Sequence, residues 1–260
     1  MQRCPEEYVA MASRLAEVAG PILRSHFRSP LPIEDKADLS PVTIADRAAE
    51  AAMRALLAES LPHHGILGEE HGASGADAEY VWVLDPIDGT RSFICGIPVF
   101  GTLIALARNG RPICGVIDQP ISGERWIGAE GYSSRLNGKP VSVRPCADIG
   151  KAYCFATAPE IFGAGAEAAA WERIRGAVKL ARYGADCYAF ALLASGHVDL
   201  VVEAGLKPYD FSALVPVIEG AGGIVTDWRG APLTLESDGR VVAAGDARVH
   251  RQALALLAGA

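Results

Sequence analysis

The sequence VWVLDPIDGTRSF, residues 81–93, decides the fold because it joins a buried strand to two carboxylates. It begins with an apolar, partly β-branched run, which predicts a strand covered on both faces. This strand delivers Asp85 at its carboxyl end, and Pro86, which has no N–H to donate, is expected to end the ladder there. Asp88 follows three residues after Asp85, ahead of a short turn that is predicted to be helical and that Asp88 could cap.

Two carboxylates and a carbonyl in close sequence predict a cation site beside a place for an anion. Asp85, Asp88 and the carbonyl of Ile87 offer hard oxygen ligands of the kind that Mg²⁺ takes. The backbone N–H groups from Gly89 onward are free at the start of the turn, where an anion such as phosphate is stabilised. On this stretch alone, a strand-end aspartate followed by a capping aspartate remains the alternative.

Length, charge and cysteine content narrow the class of protein. The chain has 260 residues and is 50% hydrophobic, which is enough for one layered domain or two fused halves. Its net charge of −7 argues against a nucleic-acid or membrane-surface partner. The six cysteines form no CxxC pair, so we expect reduced thiols and a cytoplasmic location. No signal peptide or spanning segment is apparent, which favours the same location.

The order of the predicted elements divides the chain near residue 145. Helices predicted over 5–27 and 44–61 precede a run of short strands and hairpins, so residues 1–145 are expected to form an α+β half. Strands and helices alternate over residues 146–260, which is typical of an α/β half. The helices predicted there cover 166–177, 185–195, 210–221 and 246–258. Because no long linker separates the halves, we expect one compact unit.

Acidic residues outside the opening stretch have two interpretations each. Glu69 ends a short predicted strand, and because adjacent strand residues point to opposite faces, only one of Glu69 and Glu70 can face a cation. Asp46 follows Thr43 by three residues, which approximates a capping box for the second helix. Asp210 precedes a predicted helix, where an N-cap aspartate is common. Local patterning therefore leaves capping and cation binding open for Asp46 and Asp210.

Two separate motifs carry a resemblance to a known family. Residues 85–90, DPIDGT, resemble the D-P-[IL]-D-G-T signature of the inositol monophosphatase superfamily of Mg²⁺-dependent, lithium-sensitive phosphatases. Residues 208–227 resemble the family's W-D-x-[AS]-[AG] and E-A-G-G box, with Tyr209 where tryptophan is usual. The motifs stand in the family's order, so the resemblance extends over nearly the whole chain. It implies a layered αβαβα sandwich and a homodimer.

The resemblance also implies an active site, residue by residue. It implies that about two or three Mg²⁺ ions per site are held by Glu69, Asp85, Asp88, Asp210 and the carbonyl of Ile87. Thr90 would orient the attacking water and Glu69 would accept its proton, without a covalent intermediate. The N–H groups of Gly89 and Thr90 would hold the phosphate. Lys36 and Asp46 match family positions that border the metal site, and capping by Thr43 is compatible with that place for Asp46.

Three local features discriminate within the superfamily: the first differs from inositol enzymes, and the other two resemble the histidinol-phosphatase branch. Arg91 and Ser92 stand where inositol enzymes usually have x-N, and IDQP at 117–120 is followed by ERW at 124–126. The segments GADCY and LKPYDF, residues 184–188 and 206–211, are the third feature. The resemblance therefore implies a small phosphorylated metabolite, L-histidinol phosphate, and a place in histidine biosynthesis.

The chemistry of that substrate singles out further residues. L-histidinol phosphate carries a cationic amine, which carboxylates at Asp186 and Glu203 could pair with. Arg91 and Arg182 are further candidate substrate contacts. Each has an alternative: a helix N-cap for Asp186, a solvated surface position for Arg91, and a neighbouring carboxylate for Arg182. Two other functions stay open, an inositol-1-phosphate or broad sugar-phosphate phosphatase and a non-catalytic regulatory protein that binds metal or phosphate.

Overall fold

Residues 3–30, 33–35 and 41–259 are described by a computed structural model of the chain. Lys36, predicted to border the site, lies outside these residues. The helices are α1 (Glu6–His26), α2 (Ile44–Ser60), α3 (Thr90–Ile94), α4 (Ala166–Ala177), α5 (Asp186–Ala194), α6 (Pro208–Phe211), α7 (Leu214–Gly220) and α8 (Ala247–Ala258). Short 3-10 helices cover Ile149–Lys151 and Pro159–Phe162.

The strands fall into a small ribbon and two larger sheets. They are β1 (Ile33–Asp35), β2 (Pro41–Thr43), β3 (Gly65–Gly68), β4 (Gly72–Ser74), β5 (Tyr80–Asp88), β6 (Gly101–Arg108), β7 (Arg111–Gln119), β8 (Glu124–Ala129), β9 (Arg135–Leu136), β10 (Lys139–Pro140), β11 (Tyr153–Ala156), β12 (Leu180–Tyr183), β13 (Leu200–Glu203), β14 (Ile224–Thr226) and β15 (Val241–Ala244). β1 and β2 pair with each other as the ribbon.

The first large sheet has the order β10-β9-β8-β7-β6-β5-β3-β4, so the opening strand lies inside it. β5 runs parallel to β3 and antiparallel to β6. The second sheet has the order β12-β11-β13-β15-β14 and mixes parallel and antiparallel pairs. The sheets are thus built from separate parts of the chain, whereas the division at residue 145 into two halves stays a prediction.

Alternate residues of β5 face two different hydrophobic layers, which explains its nearly continuous apolar sequence. Trp82 and Leu84 face α1 and α2, whereas Val81 and Val83 face α5 and α7. The far face of the second sheet is covered by α4 and α8. The layers therefore run helix, sheet, helix, sheet, helix, and the predicted αβαβα sandwich is confirmed.

The end of β5 differs from the prediction that Pro86 ends the ladder. The strand continues to Asp88, and its pairing with β6 shifts register between Asp85 and Asp88. Pro86 cannot donate, but its carbonyl accepts a hydrogen bond from Thr102 Oγ1 at 2.9 Å. The register shift falls where Pro86 lacks an N–H donor, and pairing with β6 resumes at Asp88. The strand therefore includes both aspartates.

The prediction of one helix over residues 210–221 is also wrong, because the structure has two short helices there. α6 ends at Phe211 and α7 begins at Leu214. Pro216 could not donate to the carbonyl of Ser212 in one continuous helix, whereas in the first turn of α7 no such bond is needed. The other helices predicted in the second half are present within one residue or so of the predicted bounds.

Two local predictions are confirmed, a hairpin in the run of short strands and the free state of the thiols. Asn109 and Gly110 form the tight hairpin turn between β6 and β7, both with positive φ, at 50° and 77°. All six cysteines are free thiols. Within the described ranges, none of the helices combines the length and apolarity needed to cross a bilayer.

Candidate active site

Three carboxylates from two distant segments meet at the end of β5. Oxygen atoms of Asp85, Asp88 and Asp210 lie within 4.8 Å of one another. Asp85 and Asp88 come from the irregular end of the strand, and Asp210 comes from α6. Asp210 is not the N-cap that its position suggested, since it is the third helical residue and its Oδ2 accepts from the N–H of Lys207 at 2.6 Å. We refer to Asp85, Asp88 and Asp210 as the acid cluster.

Burial and mutual repulsion both act against ionisation of the acid cluster. Burial, and then the charges of Glu69, Asp88 and Asp210, raise the pKa of Asp85 well above its usual range. Burial also raises the pKa of Asp88 well above its usual range, with Asp186 and Asp210 adding to the effect. Because like charges this close oppose joint ionisation, the arrangement suits a bound cation. Oxygen donors of this kind fit a hard divalent ion such as Mg²⁺.

Glu69 lies next to the acid cluster. Its N–H donates to the carbonyl of Leu84 at 3.1 Å, which sets the residue beside Asp85. Its carboxylate contributes to the raised pKa of Asp85 both by charge and by a hydrogen bond between the two side chains. The structure therefore brings all four predicted carboxylate ligands to one place, with Glu69 at the margin.

Asp46 combines the two interpretations that its sequence position left open. Its Oδ2 accepts from the N–H of Thr43 at 2.8 Å and from Thr43 Oγ1 at 2.6 Å, so the capping box at the start of α2 is present. Its Oδ1 is buried and accepts no hydrogen bond from any residue in the described ranges. Burial raises the pKa of Asp46, and the charge of Glu69 adds to it. Asp46 thus borders the cluster with one buried oxygen that a cation or its water could use.

The residues between the two aspartates hold one another in place. The N–H of Ile87 donates to Asp85 Oδ1 at 3.0 Å, and Thr90 Oγ1 donates to the carbonyl of Ile87 at 3.1 Å. The predicted carbonyl ligand and the predicted water-orienting hydroxyl are therefore direct neighbours. Asp88 does not cap α3, whose N-cap is Gly89.

Gly89 is required by its surroundings. Its φ is +84°, and a Cβ there would lie 2.6 Å from Asp186 Oδ2. No side chain fits that space without displacing the carboxylate. The tight approach brings α5 against the turn that follows Asp88.

Asp186 is the first residue of α5, and its carboxylate points back to this turn. Ser92 Oγ donates to Asp186 Oδ2 at 2.7 Å. The N-cap interpretation is wrong, because Ala185 holds that position and no side chain caps the helix. Burial raises the pKa of Asp186, while the Ser92 hydrogen bond and the charge of Arg91 oppose the increase. Arg91 is exposed, as its alternative interpretation expected, and its predicted substrate contact stays a prediction.

Glu203, at the end of β13, is a second carboxylate on the same side, and it is buried. Its Oε1 accepts from the N–H of Thr157 at 2.7 Å and from Thr157 Oγ1 at 3.1 Å. Its Oε2 is buried and has no hydrogen-bond partner in the described part of the chain. Burial raises the pKa of Glu203 to about 8, and the charges of Asp186 and Asp210 contribute.

Arg182 is a predicted substrate contact for which the structure shows no polar partner among the described residues. It lies on β12, an edge strand of the second sheet, and its side chain is exposed. Among the described residues it has no hydrogen bond or ion pair through that side chain, so neither the substrate contact nor the alternative carboxylate is supported by a contact. Its part in substrate binding stays a prediction.

Sequence reasoning missed the residues that hold the site carboxylates from a distance. Cys187 donates its N–H to Asp88 Oδ2, Ser92 holds Asp186, and Thr157 holds Glu203. Ser92 had a signal, since it stands where inositol enzymes usually have asparagine. Cys187 acts through its backbone N–H group, which no residue type reveals, whereas Thr157 adds a bond from its side-chain hydroxyl to one from its backbone.

Comparisons with known proteins agree with this arrangement. The inositol monophosphatase family model matches residues 5–260. The chloroplastic bifunctional phosphatase IMPL2 of Arabidopsis thaliana is 54% identical over 258 residues, which cover 96% of this chain and 74% of that protein. The histidinol-phosphatase of Chlorobaculum parvum is 36% identical over 234 residues, 90% of each chain. An inositol monophosphatase structure from Zymomonas mobilis matches with a TM-score of 0.90 and 49% identity, covering 97% of this chain and 98% of that one.

Proposed function

Because the chain belongs to the inositol monophosphatase family, a family of phosphomonoesterases, we propose that it is a Mg²⁺-dependent phosphatase of L-histidinol phosphate. The observation that carries the choice of substrate is the pair of carboxylates beside the acid cluster, the half-buried Asp186 and the buried Glu203. Two relatives support it, one named a histidinol-phosphatase and one a bifunctional phosphatase. The product would be L-histidinol, and the enzyme would then serve histidine biosynthesis.

The acid cluster, Glu69 and the carbonyl of Ile87 would hold the Mg²⁺ ions. Their fit rests on donor chemistry and on the raised pKa values of Asp85 and Asp88, which a bound cation would reverse. When bound, Mg²⁺ would lower the pKa of coordinated water and neutralise charge on the phosphoryl oxygens. Asp46 Oδ1 adds a buried acceptor at the margin of this set.

The chain's own groups would then place and deprotonate the water. Thr90 Oγ1 hydrogen-bonds the Ile87 carbonyl in this structure, and from that position it can orient a water toward phosphorus. Glu69 would accept the proton that this water loses. The N–H groups of Gly89 and Thr90 would hold phosphate oxygens. The ester P–O bond breaks as the bond from the water oxygen to phosphorus forms, and the departing alkoxide takes up a proton from solvent to give the alcohol of L-histidinol. No side chain of the protein becomes phosphorylated in this scheme.

The amine of the substrate would be recognised by charge. Glu203 Oε2 is a buried acceptor without a partner among the described residues, and a cationic amine is the kind of donor that it lacks. Asp186 would share that cation, with Ser92 fixing its carboxylate. A bound cation would also relieve the repulsion that both carboxylates exert on the acid cluster.

Phosphate release from three esters tests the proposal. L-histidinol phosphate, inositol 1-phosphate and glycerol 2-phosphate are compared with MgCl₂ present, and again with EDTA. We expect the largest kcat/KM for histidinol phosphate, by roughly tenfold or more, and loss of all activity with EDTA. Preference for inositol 1-phosphate, as the name of the Zymomonas mobilis neighbour suggests, would overturn the choice of substrate. Lack of activity on all three would favour the regulatory alternative.

The proposal includes a cytoplasmic homodimer that lithium inhibits. The family resemblance supports the dimer and the inhibition, and the absence of CxxC pairs among free thiols supports a reducing compartment. Light scattering of the purified chain measures the mass in solution, and a mass near twice 27.3 kDa is expected. A monomer at all concentrations would contradict the dimer.

A further inference from the structure

Glu50 contacts the turn that contains Glu69. It is a residue of α2, its side chain is fully buried, and it packs against Gly68, the last residue of β3. A Cβ at position 68 would overlap Glu50 Oε1, so the strand has a glycine where the carboxylate approaches. The carboxylate is therefore built into the end of β3.

The hydrogen bonds of Glu50 go to the two peptides that follow Glu69. Oε2 accepts from the N–H of Glu70 at 2.7 Å, and Oε1 accepts from the N–H of His71 at 3.2 Å. On the other side, the N–H of Glu69 itself donates to Leu84 at 3.1 Å. The backbone of Glu69 is thus held between β5, which carries the acid cluster, and a buried carboxylate on α2.

Arg54, one helical turn after Glu50 on α2, binds both Glu50 and the turn that follows Glu69. Its Nε donates to Glu50 Oε1 at 2.7 Å, and its guanidinium also reaches the carbonyl of Gly72 and, at 3.5 Å, Ser74 Oγ. An exposed (i, i+4) ion pair would contribute little, but here the carboxylate is buried and its remaining bonds go to the turn. Because Arg54 balances the charge of Glu50, the effect on the acid cluster is one of geometry.

We propose that Glu50 is a positioning residue that holds Glu69 at the cation site. The inference rests on the proposed function only in taking Glu69 as a cation ligand; it does not depend on which phosphate ester is the substrate. Loss of the Glu50 bonds frees the peptides after Glu69, and a ligand on a loose turn must be ordered when the cation binds. Mg²⁺ affinity should fall, while turnover at saturating Mg²⁺ should change little, since the bound cation orders Glu69 again and Thr90 and the acid cluster stay in place.

Two variants at this position and one control test the proposal in the full chain. Glu50→Gln keeps the shape and one acceptor oxygen but removes the charge. Glu50→Asp keeps the charge that faces Arg54 and withdraws the carboxylate by one methylene from the peptides of Glu70 and His71. Glu59→Gln is the matched control, because Glu59 lies on the same helix and is exposed.

Mg²⁺ binding is measured by titration calorimetry without substrate, and the Mg²⁺ dependence of phosphate release is measured in parallel. We expect both Glu50 variants to raise the Mg²⁺ dissociation constant by about tenfold, to raise the activating Mg²⁺ concentration similarly, and to change kcat less than threefold or so. Glu59→Gln should match the wild type in every readout.

The outcomes separate this inference from the proposed function. A lower Tm with unchanged Mg²⁺ affinity in both Glu50 variants would make Glu50 a structural residue only and overturn the inference. If Glu50→Gln does not fold, Glu50→Asp decides the question alone. A wild type that binds Mg²⁺ but does not hydrolyse histidinol phosphate leaves this test intact, whereas a wild type that binds no Mg²⁺ overturns both proposals.

Discussion

The backbone N–H of Cys187 donates a hydrogen bond to Asp88 Oδ2, with 2.6 Å between the nitrogen and the oxygen and 99 positions between the residues. Asp88 ends β5, and Cys187 lies in the first turn of α5. First-turn N–H groups have no partner within their helix, so they are ready donors to a carboxylate. Asp88 therefore joins α5 to β5 and belongs to the acid cluster at the same time.

Two substitutions separate the hydrogen bond of Asp88 to α5 from its role as a charged ligand in the acid cluster. Asp88→Asn keeps an oxygen that accepts from Cys187 but removes a charged ligand, whereas Asp88→Ala removes both. We expect phosphate release to fall by orders of magnitude in both variants. Without divalent ions, Asp88→Asn should melt at or above the wild-type Tm, because it removes repulsion from the acid cluster, and Asp88→Ala should melt below Asp88→Asn.

Thermal melts in EDTA and Mg²⁺-saturated assays check this prediction. Near-normal turnover in Asp88→Asn would refute the assignment of Asp88 as a metal ligand. Equal Tm values for the two variants would mean that the bond to Cys187 does not contribute to stability.

Most elements could be predicted because they depend on local spacing, whereas the order of the layers was implied by the family resemblance. The alternation of Trp82 and Val83 between two apolar layers, and the Asn109-Gly110 turn, are fixed by residue types close in sequence. The acids of the cluster were also predictable, because the motif places Asp85 and Asp88 three residues apart. That Asp210 lies close to them could be expected only from the family resemblance.

The errors about the capping roles of Asp88 and Asp186 have a common physical origin in contacts between distant segments. Asp88 has the right position to cap α3, yet it accepts from α5, because packing brings the first turn of that helix within reach. Asp186 could cap its own helix, yet it accepts from Ser92. A capping residue and a site residue have the same local pattern, and only the neighbours supplied by the fold distinguish them.

Lithium is expected to inhibit the enzyme. Li⁺ is a small, hard cation that can enter a carboxylate site meant for Mg²⁺ and hinder product release or metal exchange. Steady-state rates in millimolar LiCl should fall relative to KCl at the same ionic strength. Identical rates in the two salts would separate this chain from the lithium-sensitive members of its family.

Glu203→Gln is expected to stabilise the metal-free protein at alkaline pH. The folded pKa of Glu203, about 8, lies above the unfolded value of about 4.3. A raised folded pKa adds stability that is complete below the unfolded pKa and is lost as pH rises through the folded pKa. Glutamine does not ionise, so the Tm of Glu203→Gln should exceed that of the wild type at pH values above the folded pKa, and the difference should shrink toward pH 5 or so.

Calorimetric melts in EDTA across this pH range provide the measurement, with Glu59→Gln as the exposed control. A Tm difference that does not vary with pH would show that Glu203 does not titrate in this window. The same substitution should lower kcat/KM for histidinol phosphate, so a gain in stability would accompany a loss of function.

Protonation of His64 is expected to destabilise the folded state as pH falls. Trp82 Nε1 donates to His64 Nδ1 at 3.1 Å, which requires that nitrogen to be unprotonated, and the ring stacks on Tyr80. Burial lowers the pKa of His64. A lowered folded pKa gives stability that is present above the unfolded pKa, about 6.5, and is lost as pH falls through the folded pKa.

His64→Asn checks this effect, with the exposed neighbour His63→Asn as control. The hydrogen bond and stacking contact contribute about 1 kcal/mol, which corresponds to roughly 2–4 °C in Tm for a chain of this size. The Tm deficit of His64→Asn should appear above neutral pH and narrow in acid. A deficit of the same size at every pH would mean that packing, and not the neutral ring, matters at this position.

Asp186→Asn is expected to impair recognition of the substrate amine without impairing the chemistry. Asparagine can still accept from Ser92 through its oxygen, so the turn around Gly89 should keep its shape, but the negative charge is gone. A charge-assisted hydrogen bond contributes on the order of 1.5–3 kcal/mol, so kcat/KM for histidinol phosphate should fall roughly ten- to a hundredfold. Glycerol phosphate has no amine, and because Thr90 and the acid cluster are unchanged, its slow hydrolysis should stay near the wild-type rate. Parallel losses on both esters would instead mean that Asp186 supports the acid cluster through Asp88 and takes no part in specificity.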